Sequence, residues 1–358
     1  MNAMFNAGRR HVLVTGGAGY IGSHAILALE AADYQVSVID NLSTGFRSAV
    51  PGRMGFYHGD IGDRAFVDAV LRSERFDAIM HFAGSLIVPE SVADPLQYYH
   101  NNTVKTQGLL AAAVAAEIEL FVFSSTAAVY GIPKIVPIKE SAPTLPINPY
   151  GASKLAAEWM LRDVSAAHSL RYAALRYFNV AGADPFGRAG QLTAGATHLI
   201  KVAAEHIAGR REAVNIFGSD FDTPDGTGVR DYIHVSDLAD VHVTALDYLF
   251  AGGESLVANC GYGRGFSVKE VLAVAERVSG RRLVTRETSR RAGDPAMLVA
   301  DTDLVRSRLG WRARFDDLDK IIRHALAWEE RTPTPAWEAV TPAPREAVPL
   351  PARPNATV

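Results

Sequence analysis

The chain has 358 residues, 48% hydrophobic and 21% charged, which indicates a globular protein of about two domains and excludes a disordered or fibrous chain. Its formal net charge of −3 provides no basic field, so we expect neither nucleic acid nor a membrane as a partner. The single cysteine, Cys260, allows no internal disulfide and no cysteine-based zinc site, so we predict no metal site and expect a cytoplasmic protein.

The first half of the chain alternates short apolar runs with longer helical patterns, which is typical of βαβ units. Strands are predicted at 11–15, 35–39, 56–59, 76–82, 120–125 and 172–177. A helix is predicted from the glycine turn after the first strand to about Ala32, and another is predicted to begin near Tyr150. Buried strands separated by helices predict an α/β fold, a doubly wound parallel (Rossmann) sheet with helices on both faces.

After about Val180 the elements become shorter, which predicts a smaller C-terminal domain. A helix is predicted over 234–251 and a strand over 256–260, where we expect the chain to return to the first sheet. Ser267 and Glu270 form a capping box that opens a helix ending at Gly280. Further helices are predicted over 303–309 and 316–330.

The predicted domain bounds follow from these elements. We expect a Rossmann domain over 10–180 and 233–260, and a substrate domain over 181–232 and 261–331. The segment 332–358 is rich in proline and poor in aromatic residues, so we expect a tail that lies on the surface or is disordered.

A glycine-rich turn follows the first predicted strand. Gly16, Gly19 and Gly22 are spaced G-x-x-G-x-x-G, which lets the backbone approach a pyrophosphate at a helix N-terminus. Asp40 ends the second strand, at about the 20-residue offset expected of an acid that binds a ribose. Its charge would repel a 2′-phosphate, so the pattern favours NAD over NADP. Alternatively, Asp40 caps a turn with Asn41.

A second acidic residue, Asp60, ends the third strand together with Ile61. Its carboxylate is a candidate acceptor for the adenine amino group. The alternative is a role in the turn, where aspartate is common.

Tyr150 and Lys154 form a Y-x-x-x-K pattern at the predicted helix start. Residues four apart share a helix face, so the ammonium of Lys154 is expected to lower the pKa of Tyr150. A tyrosine tuned in this way can act as a general base toward a hydroxyl group. Ser124, Ser125 and Thr126 end the preceding strand at the edge where such sheets bind ligands, although small polar residues also cap strands there.

Together these features resemble the extended short-chain dehydrogenase/reductases, and among them the UDP-glucose (UDP-galactose) 4-epimerases. The resemblance covers about residues 10–330. Its motifs are VTGGAGYIGSH (14–24), IDN (39–41), HFAG (81–84), ESV (90–92), NN (101–102), FSSTAAVYG (123–131), NPYGASK (148–154), LRYFNVAGA (175–183), DGTGVRDYIHVSDLAD (225–240) and RRAGDP (290–295). The RYFN and DGTGVRDYIHV blocks are specific to nucleotide-sugar epimerases and their near relatives.

The resemblance implies an enzyme that oxidises the sugar at C4 with NAD, lets the 4-keto sugar rotate and returns the hydride to the opposite face. It implies that Tyr150 is the acid/base, that Lys154 tunes it and that Thr126 supplies the hydroxyl beside it. The cofactor residues that it implies are Gly16, Gly19, Tyr20, Ile21, Gly22, Asp40, Asn41, Asp60, Ile61, Phe82, Ala83, Gly84, Ser124, Tyr150, Lys154 and Tyr177. The residues implied for the UDP-sugar substrate are Thr126, Tyr150, Asn179, His198, Leu199, Phe217, Arg230, Arg291, Asp294 and Leu298.

Three positions depart from the pattern of these epimerases. Leu86 stands where many members have a lysine near the cofactor, and His198 replaces an asparagine that contacts substrate in many relatives. Leu298 aligns with a tyrosine that limits the sugar pocket in some members. We therefore expect UDP-glucose and UDP-galactose as the preferred pair, with weak turnover of UDP-N-acetylglucosamine.

Other functions remain open at this point. The substrate could be another UDP-sugar, such as UDP-N-acetylglucosamine or a UDP-pentose. A dehydratase would need an acidic pair directly after Thr126, where this chain has Ala127 and Ala128. A decarboxylase, a simple sugar dehydrogenase and a non-catalytic NAD-binding module are further alternatives, although the last has no need of the Tyr150–Lys154 pair.

The resemblance also implies a homodimer in which two helices of each subunit pair across a two-fold axis. These are the helix beginning at Tyr150 and a long helix over about 96–117. An alanine-rich face of the second helix is expected to permit close approach; its residues are Ala111, Ala112, Ala115 and Ala116.

Overall fold

The structure is a computed structural model that describes residues 8–193, 195–291 and 294–331. The proline-rich segment predicted as a tail lies outside these residues. Among the described residues no helix is both long and apolar enough to span a membrane.

The strands are β1 His11–Thr15, β2 Gln35–Asp40, β3 Gly55–His58, β4 Ala78–His81, β5 Leu120–Thr126, β6 Arg171–Tyr177, β7 Asn179–Ala181, β8 Val214–Phe217, β9 Val229–His234, β10 Leu256–Cys260, β11 Gly265–Ser267, β12 Thr285–Thr288 and β13 Met297–Leu298. The helices are α1 Tyr20–Ala31, α2 Arg64–Ser73, α3 Val88–Ala93, α4 Pro95–Tyr99, α5 Lys105–Ala115, α6 Pro149–Ala167, α7 Leu199–Ile207, α8 Val235–Phe250, α9 Val268–Ser279, α10 Asp303–Leu309 and α11 Leu318–Arg331. A π-helical turn, His100–Val104, joins α4 to α5.

The central sheet has seven strands in the order β10-β6-β5-β4-β1-β2-β3. All six pairings are parallel, for example β1 with β2 and β1 with β4. The predicted doubly wound α/β (Rossmann) fold is confirmed. The predicted return of 256–260 is visible in the pairing of β10 with β6.

Helices cover both faces of this sheet because alternate strand residues point to opposite sides. Val12 and Val14 of β1 belong to the core that contains Ile26 of α1 and Leu238 of α8. Leu13, between them, belongs to the opposite core with residues of α5 and α6. Strands buried on both faces need continuous apolar runs, which explains why the sequence reveals them clearly.

The direction of winding reverses between β1 and β4. Chain order places β2 and β3 on one side of β1 and the later strands on the other. In open α/β sheets the crevice for ligands lies at such a switch point, outside the carboxyl ends of the strands. The glycine turn after β1 and the residues after β4 and β5 all lie at this edge.

Smaller sheets follow in the second half of the chain. β9 pairs with β11, β13 and β7, and β12 pairs with β8. The capping box of Ser267 and Glu270 is present at the start of α9, and Gly280 ends that helix in the left-handed conformation. The sequence analysis did not resolve the short strands β7, β8, β9, β12 and β13.

Candidate active site

The glycine turn leaves no room for side chains. Gly16 has a φ of +74°, and a Cβ there would lie 2.5 Å from the main-chain nitrogen of Ala83 after β4. A Cβ at Gly22 would lie 2.2 Å from the carbonyl oxygen of Gly16. The turn, the start of α1 and the end of β4 are therefore packed backbone against backbone, which is the arrangement that a pyrophosphate-binding turn requires.

Asp40 lies against this turn. One carboxylate oxygen accepts a hydrogen bond from the main-chain nitrogen of Ala18 at 2.9 Å, and the other accepts from that of Leu42 at 2.8 Å. The bond from the Leu42 nitrogen is the turn-capping contact that the sequence left open as an alternative. The bond from the Ala18 nitrogen attaches the carboxylate to the glycine turn. Since a carboxylate has about four acceptor positions, both bonds leave it able to accept from ribose hydroxyls.

Asp60 and Asn41 meet beside Asp40. The Asn41 amide donates to Asp60 at 2.9 Å, and the ammonium of Lys105 lies 2.7 Å from the same carboxylate oxygen. These hydrogen bonds and that of the Gly62 nitrogen lower the pKa of Asp60 against its partial burial. Ile61 is buried next to it. Sequence reasoning did not identify Lys105.

The remaining predicted cofactor residues line the same edge. Phe82 and Ala83 donate main-chain hydrogen bonds to the carbonyl of Thr15, at 2.8 and 3.1 Å. The Tyr20 hydroxyl donates to the carbonyl of Gly182 at 2.6 Å, which links α1 to the segment after β7. The side chains of Ser124 and Tyr177 are hydrogen-bonded to each other.

Tyr150 stands in the first turn of α6. Asn148 caps the helix by accepting from the Gly151 nitrogen at 2.8 Å, and Pro149 occupies the first helical position. Burial raises the pKa of Tyr150, and a hydrogen bond with Thr126 opposes this. Thr126 ends β5 and also accepts from the Ala128 nitrogen at 3.1 Å, which starts a 3-10 turn.

Lys154 lies one turn further along α6. Its ammonium donates to the carbonyl of Ser124 at 2.9 Å and lies 4.9 Å from the centre of the Phe123 ring. Burial lowers the pKa of Lys154 to about 8, while Glu158 opposes the shift. The expected lowering of the Tyr150 pKa is therefore not the net effect in this structure, because desolvation of the phenol is larger.

Tyr98 and Asn102 make further contacts around Tyr150 and Lys154. The ring of Tyr98 meets that of Tyr150 edge-on, with 6.4 Å between ring centres. Asn102 accepts from the Ser85 nitrogen at 2.8 Å and donates to the Ser153 hydroxyl at 3.0 Å. The NN motif marked Asn102 without a role, and no local pattern marked Tyr98. Gly84 packs against Asn102, since a Cβ there would lie 2.8 Å from its side-chain oxygen.

The cationic residues predicted for the nucleotide sugar come together around β9. Arg230 donates to Asp294 at 3.0 Å and not to its neighbour Asp231, which is buried and accepts main-chain hydrogen bonds. The guanidinium of Arg291 lies 3.8 Å from the centre of the Phe217 ring. Leu298 pairs with Arg230 in the β13–β9 ladder.

Asn179 and His198 line a cavity beside β9. Asn179 pairs with Tyr232 of β9 in the strand register. His198 precedes α7, and Gln191 lies 3.1 Å from its Nδ1 atom. A cavity brings these residues together with Leu199; its lining also includes Gly182, Lys201 and Glu329. The predicted site residues therefore form three groups, at the glycine turn, at Tyr150 and around β9 with this cavity.

Comparison with known proteins agrees with this geometry. The model of the NAD dependent epimerase/dehydratase family matches residues 12–261. The chain is 59% identical to the UDP-glucose 4-epimerase of Azospirillum brasilense, over 89% of this chain and 91% of that protein.

Solved structures show the same likeness. The chain resembles the UDP-glucose 4-epimerase of Brucella ovis in complex with NAD, with a TM-score of 0.87, 45% identity and coverage of 90% of this chain and 98% of the other. It also resembles the enzyme of Stenotrophomonas maltophila with bound NAD and formylated UDP-arabinopyranose, with a TM-score of 0.86, 41% identity and coverage of 90% and 98%.

Proposed function

The chain belongs to the NAD dependent epimerase/dehydratase family, and we propose that it interconverts UDP-glucose and UDP-galactose with NAD as its cofactor. The observation that carries this proposal is the placement of Tyr150 beside Thr126, at the same edge of the sheet as the glycine turn. Curated relatives of the same activity match about nine tenths of the chain.

The residues at the glycine turn fit NAD. A side chain at Gly16 would collide with the main chain of Ala83, and one at Gly22 with the main chain of Gly16, so the tight turn that a pyrophosphate-binding site needs requires glycine at both positions. Asp40 is buried against the turn with acceptor positions left for a ribose, and its charge opposes a 2′-phosphate. NAD bound here supplies the acceptor and donor of hydride at the sugar C4.

The residues of the chain handle the proton. Tyr150 takes the proton of the sugar 4-hydroxyl and returns it in the second half of the reaction. The Thr126 hydroxyl hydrogen-bonds the phenol and favours its charged form. Lys154, fixed by the Ser124 carbonyl one helical turn away, supplies the positive charge that stabilises the phenolate.

Residues 181–232 and 261–331 supply the nucleotide-sugar domain in this proposal, with Asn179 at its border. Arg230 and Arg291 bind the diphosphate, since a guanidinium presents parallel donors to phosphate oxygens. Asp294 orients Arg230 at 3.0 Å. Phe217 lines the uracil pocket, and Leu298 limits the sugar pocket.

Elimination of water from the sugar is a weaker candidate. Ala127 and Ala128 follow Thr126 at the strand end, and neither side chain can transfer a proton. The geometry therefore supports oxidation and return of hydride without loss of a hydroxyl.

To test this proposal, the purified protein is incubated with UDP-galactose and, in a separate reaction, with UDP-glucose. Both reactions should reach the same final ratio of UDP-glucose to UDP-galactose without stoichiometric accumulation of NADH. Net NADH formation would indicate a dehydrogenase, and a 4-keto-6-deoxy product would indicate a dehydratase. A Tyr150→Phe preparation at equal concentration is the matched control for contaminating activity.

We also propose that the protein is a homodimer. Exposed apolar side chains lie on α4, the π-helical turn and α6: Leu96 (79% exposed), Tyr99, Val104 and Trp159. Of the alanines expected at the pairing face, Ala112 is buried in the core of its own subunit, whereas Ala115 and Ala116 are exposed. The larger exposed apolar side chains favour a pairing surface that extends toward the N-terminal end of the predicted long helix.

Light scattering at micromolar concentration should give twice the monomer mass. Leu96→Glu should shift the mass toward the monomer, because it places a charge in an apolar contact. Val284→Glu, on an exposed apolar residue outside this surface, is the matched control and should leave the dimer intact. A monomeric parent protein would contradict the proposal.

We further propose a cytoplasmic location. Cys260 is a free, buried thiol, which suits a reducing compartment. Cell fractionation should recover the protein with cytoplasmic markers, and recovery in an extracytoplasmic fraction would contradict the proposal.

A further inference from the structure

Gln191 and His198 form a buried polar pair beside the cavity that contains Asn179. Gln191 is 6% exposed, and its amide nitrogen lies 3.1 Å from Nδ1 of His198. His198 is partly exposed and is one of the residues that line this cavity. Nothing in the proton chemistry at Tyr150 accounts for this pair.

The hydrogen bond determines which ring nitrogen of His198 carries the proton. With its nitrogen toward the ring, the Gln191 amide can only donate, and in this arrangement Nδ1 accepts and Nε2 carries the hydrogen of the neutral ring. Burial lowers the pKa of His198, and the positive charge of Arg291 lowers it further. Both effects favour the neutral ring, and the amide donor of Gln191 favours its Nε2–H tautomer.

The other charged groups at the cavity are paired with each other. The Lys201 ammonium is hydrogen-bonded to Glu329 of α11 and lies 3.2 Å from Glu205, and these two carboxylates also pair with Arg210 and Arg211. Each carboxylate of this network therefore has cationic partners of its own. Arg291 remains the charge that acts on the ring.

We propose that Gln191 is a positioning residue that holds His198 as the Nε2–H tautomer, so that His198 donates a hydrogen bond to the diphosphate of the nucleotide sugar. Phosphate oxygens at neutral pH only accept hydrogen bonds. The opposite tautomer would turn a lone pair toward the anion and repel it. This inference rests on the proposed function for the identity of the ligand. It assigns a role to Gln191, which belongs to neither the glycine motif nor the tyrosine motif.

The tautomer can be read directly in the nucleotide-loaded protein labelled with ¹⁵N-histidine, with the His198 signals assigned by their loss in His198→Asn. The parent protein should show a protonated Nε2 and an unprotonated Nδ1. Gln191→Met keeps the side-chain length and removes the donor, so both tautomers should appear. A protonated Nδ1 in the parent protein would overturn the proposal.

Binding and turnover give an independent measurement. In Gln191→Met the Kd for UDP and the KM for UDP-galactose should rise about three- to tenfold, as expected for one weakened hydrogen bond to an anion. The kcat and the bound NAD should stay within twofold, because the proton chemistry is not touched. Unchanged UDP affinity together with an unchanged tautomer would overturn the proposal.

Gln191→Glu separates positioning from a purely structural role. The carboxylate accepts from Nδ1–H and favours the imidazolium, which still donates from Nε2 at low pH. As pH rises, the ring of this variant loses its Nε2 proton, and its Kd for UDP should rise about tenfold. The Kd of the parent protein should stay constant over the same pH range. Gln107→Glu, at an exposed position of α5, is the matched control and should behave like the parent protein.

The role of Gln191 at His198 and the proposed epimerase activity can be tested independently of each other. UDP carries the diphosphate without a sugar, so its Kd and the tautomer can be measured without turnover. A protein that binds UDP through the Nε2–H tautomer and shows no epimerisation would contradict the proposed function and support this inference.

Discussion

The ammonium of Lys154 donates a hydrogen bond to the main-chain carbonyl of Ser124 at 2.9 Å. This bond joins α6 to the end of β5, the two elements that carry Tyr150 and Thr126. The cation is buried, and burial lowers its pKa to about 8. The fold therefore holds an ionisable group where solvation is poor, one helical turn from Tyr150, as expected if the proposed catalytic role of the pair is correct.

Replacing this cation should increase stability and abolish activity. The unfolded chain holds the Lys154 proton up to a pKa of 10.5 and the folded chain only to about 8, so stability of the parent protein rises with pH between these values. Lys154→Met removes this penalty. Its free energy of unfolding at neutral pH should exceed that of the parent by at most about 3 kcal/mol, less the loss of the bond to Ser124.

Urea unfolding of nucleotide-free protein at pH 7 and pH 9.5 measures this difference. The advantage of Lys154→Met should shrink at the higher pH. An advantage that grows with pH, or a variant less stable than the parent at pH 7, would show that the ammonium is well stabilised in the fold.

Tyr150→Phe should remove epimerisation while leaving NAD bound. The ring still packs edge-on against Tyr98, so only the group that carries the proton is lost. We expect turnover to fall by at least about 10²- to 10⁴-fold, the usual contribution of a general acid–base group. Steady-state kinetics and mass spectrometry of the released nucleotide measure the two effects, with Tyr57→Phe as the control. Turnover within a few-fold of the parent would exclude Tyr150 as the proton carrier.

The nucleotide released on denaturation should be NAD and not NADP, because Asp40 is buried against the glycine turn. Asp40→Asn should weaken NAD binding and raise the relative affinity for NADP, since it removes the charge that opposes a 2′-phosphate. Titration of both nucleotides tests this, with Asp63→Asn at the N-cap of α2 as the control. Mainly NADP in the parent protein would refute the role of Asp40.

Arg176 and Glu158 form a buried ion pair, with 2.9 Å between the Arg176 Nε atom and a carboxylate oxygen. Arg176→Met should lower the free energy of unfolding by about 3–5 kcal/mol, because it leaves a buried carboxylate without its partner. Arg277→Met, in the exposed pair with Asp319, should leave the free energy of unfolding nearly unchanged, because solvent screens this pair. Urea unfolding measures both. Equal costs would mean that the pair at Arg176 is hydrated.

Leu298 is expected to set the choice of sugar. It pairs with Arg230 in the strand register and packs against the cluster that contains Ala127, which follows Thr126 in the chain. Leu298→Ser should raise the kcat/KM for UDP-N-acetylglucosamine relative to that for UDP-galactose. The expected change in discrimination between the two sugars is up to about 1–3 kcal/mol. Both sugar pairs should be assayed in both proteins, with Val284→Ser as the control. If the parent protein already prefers the N-acetylated UDP-sugars, Leu298 is not the residue that limits the size of the sugar pocket.

The sequence alone determined those features whose physical cause is local. Strands buried on both faces need unbroken apolar runs, so the strands of the central sheet could be placed to within one or two residues. The tight turn at Gly16 needs residues without a Cβ, and the helix at Val268 needs its capping box. The Tyr150–Lys154 spacing follows from the helical repeat.

Only the tertiary structure decided which side chains meet. Arg230 finds Asp294, 64 residues away, and not its neighbour Asp231, because alternate residues of β9 point to opposite sides. The short strand β13 has too few residues to show a period, so the position of Leu298 depends on its pairing with β9. Desolvation also depends on the packed surroundings. For that reason the pKa of Tyr150 rises where the Lys154 spacing alone predicted that it falls.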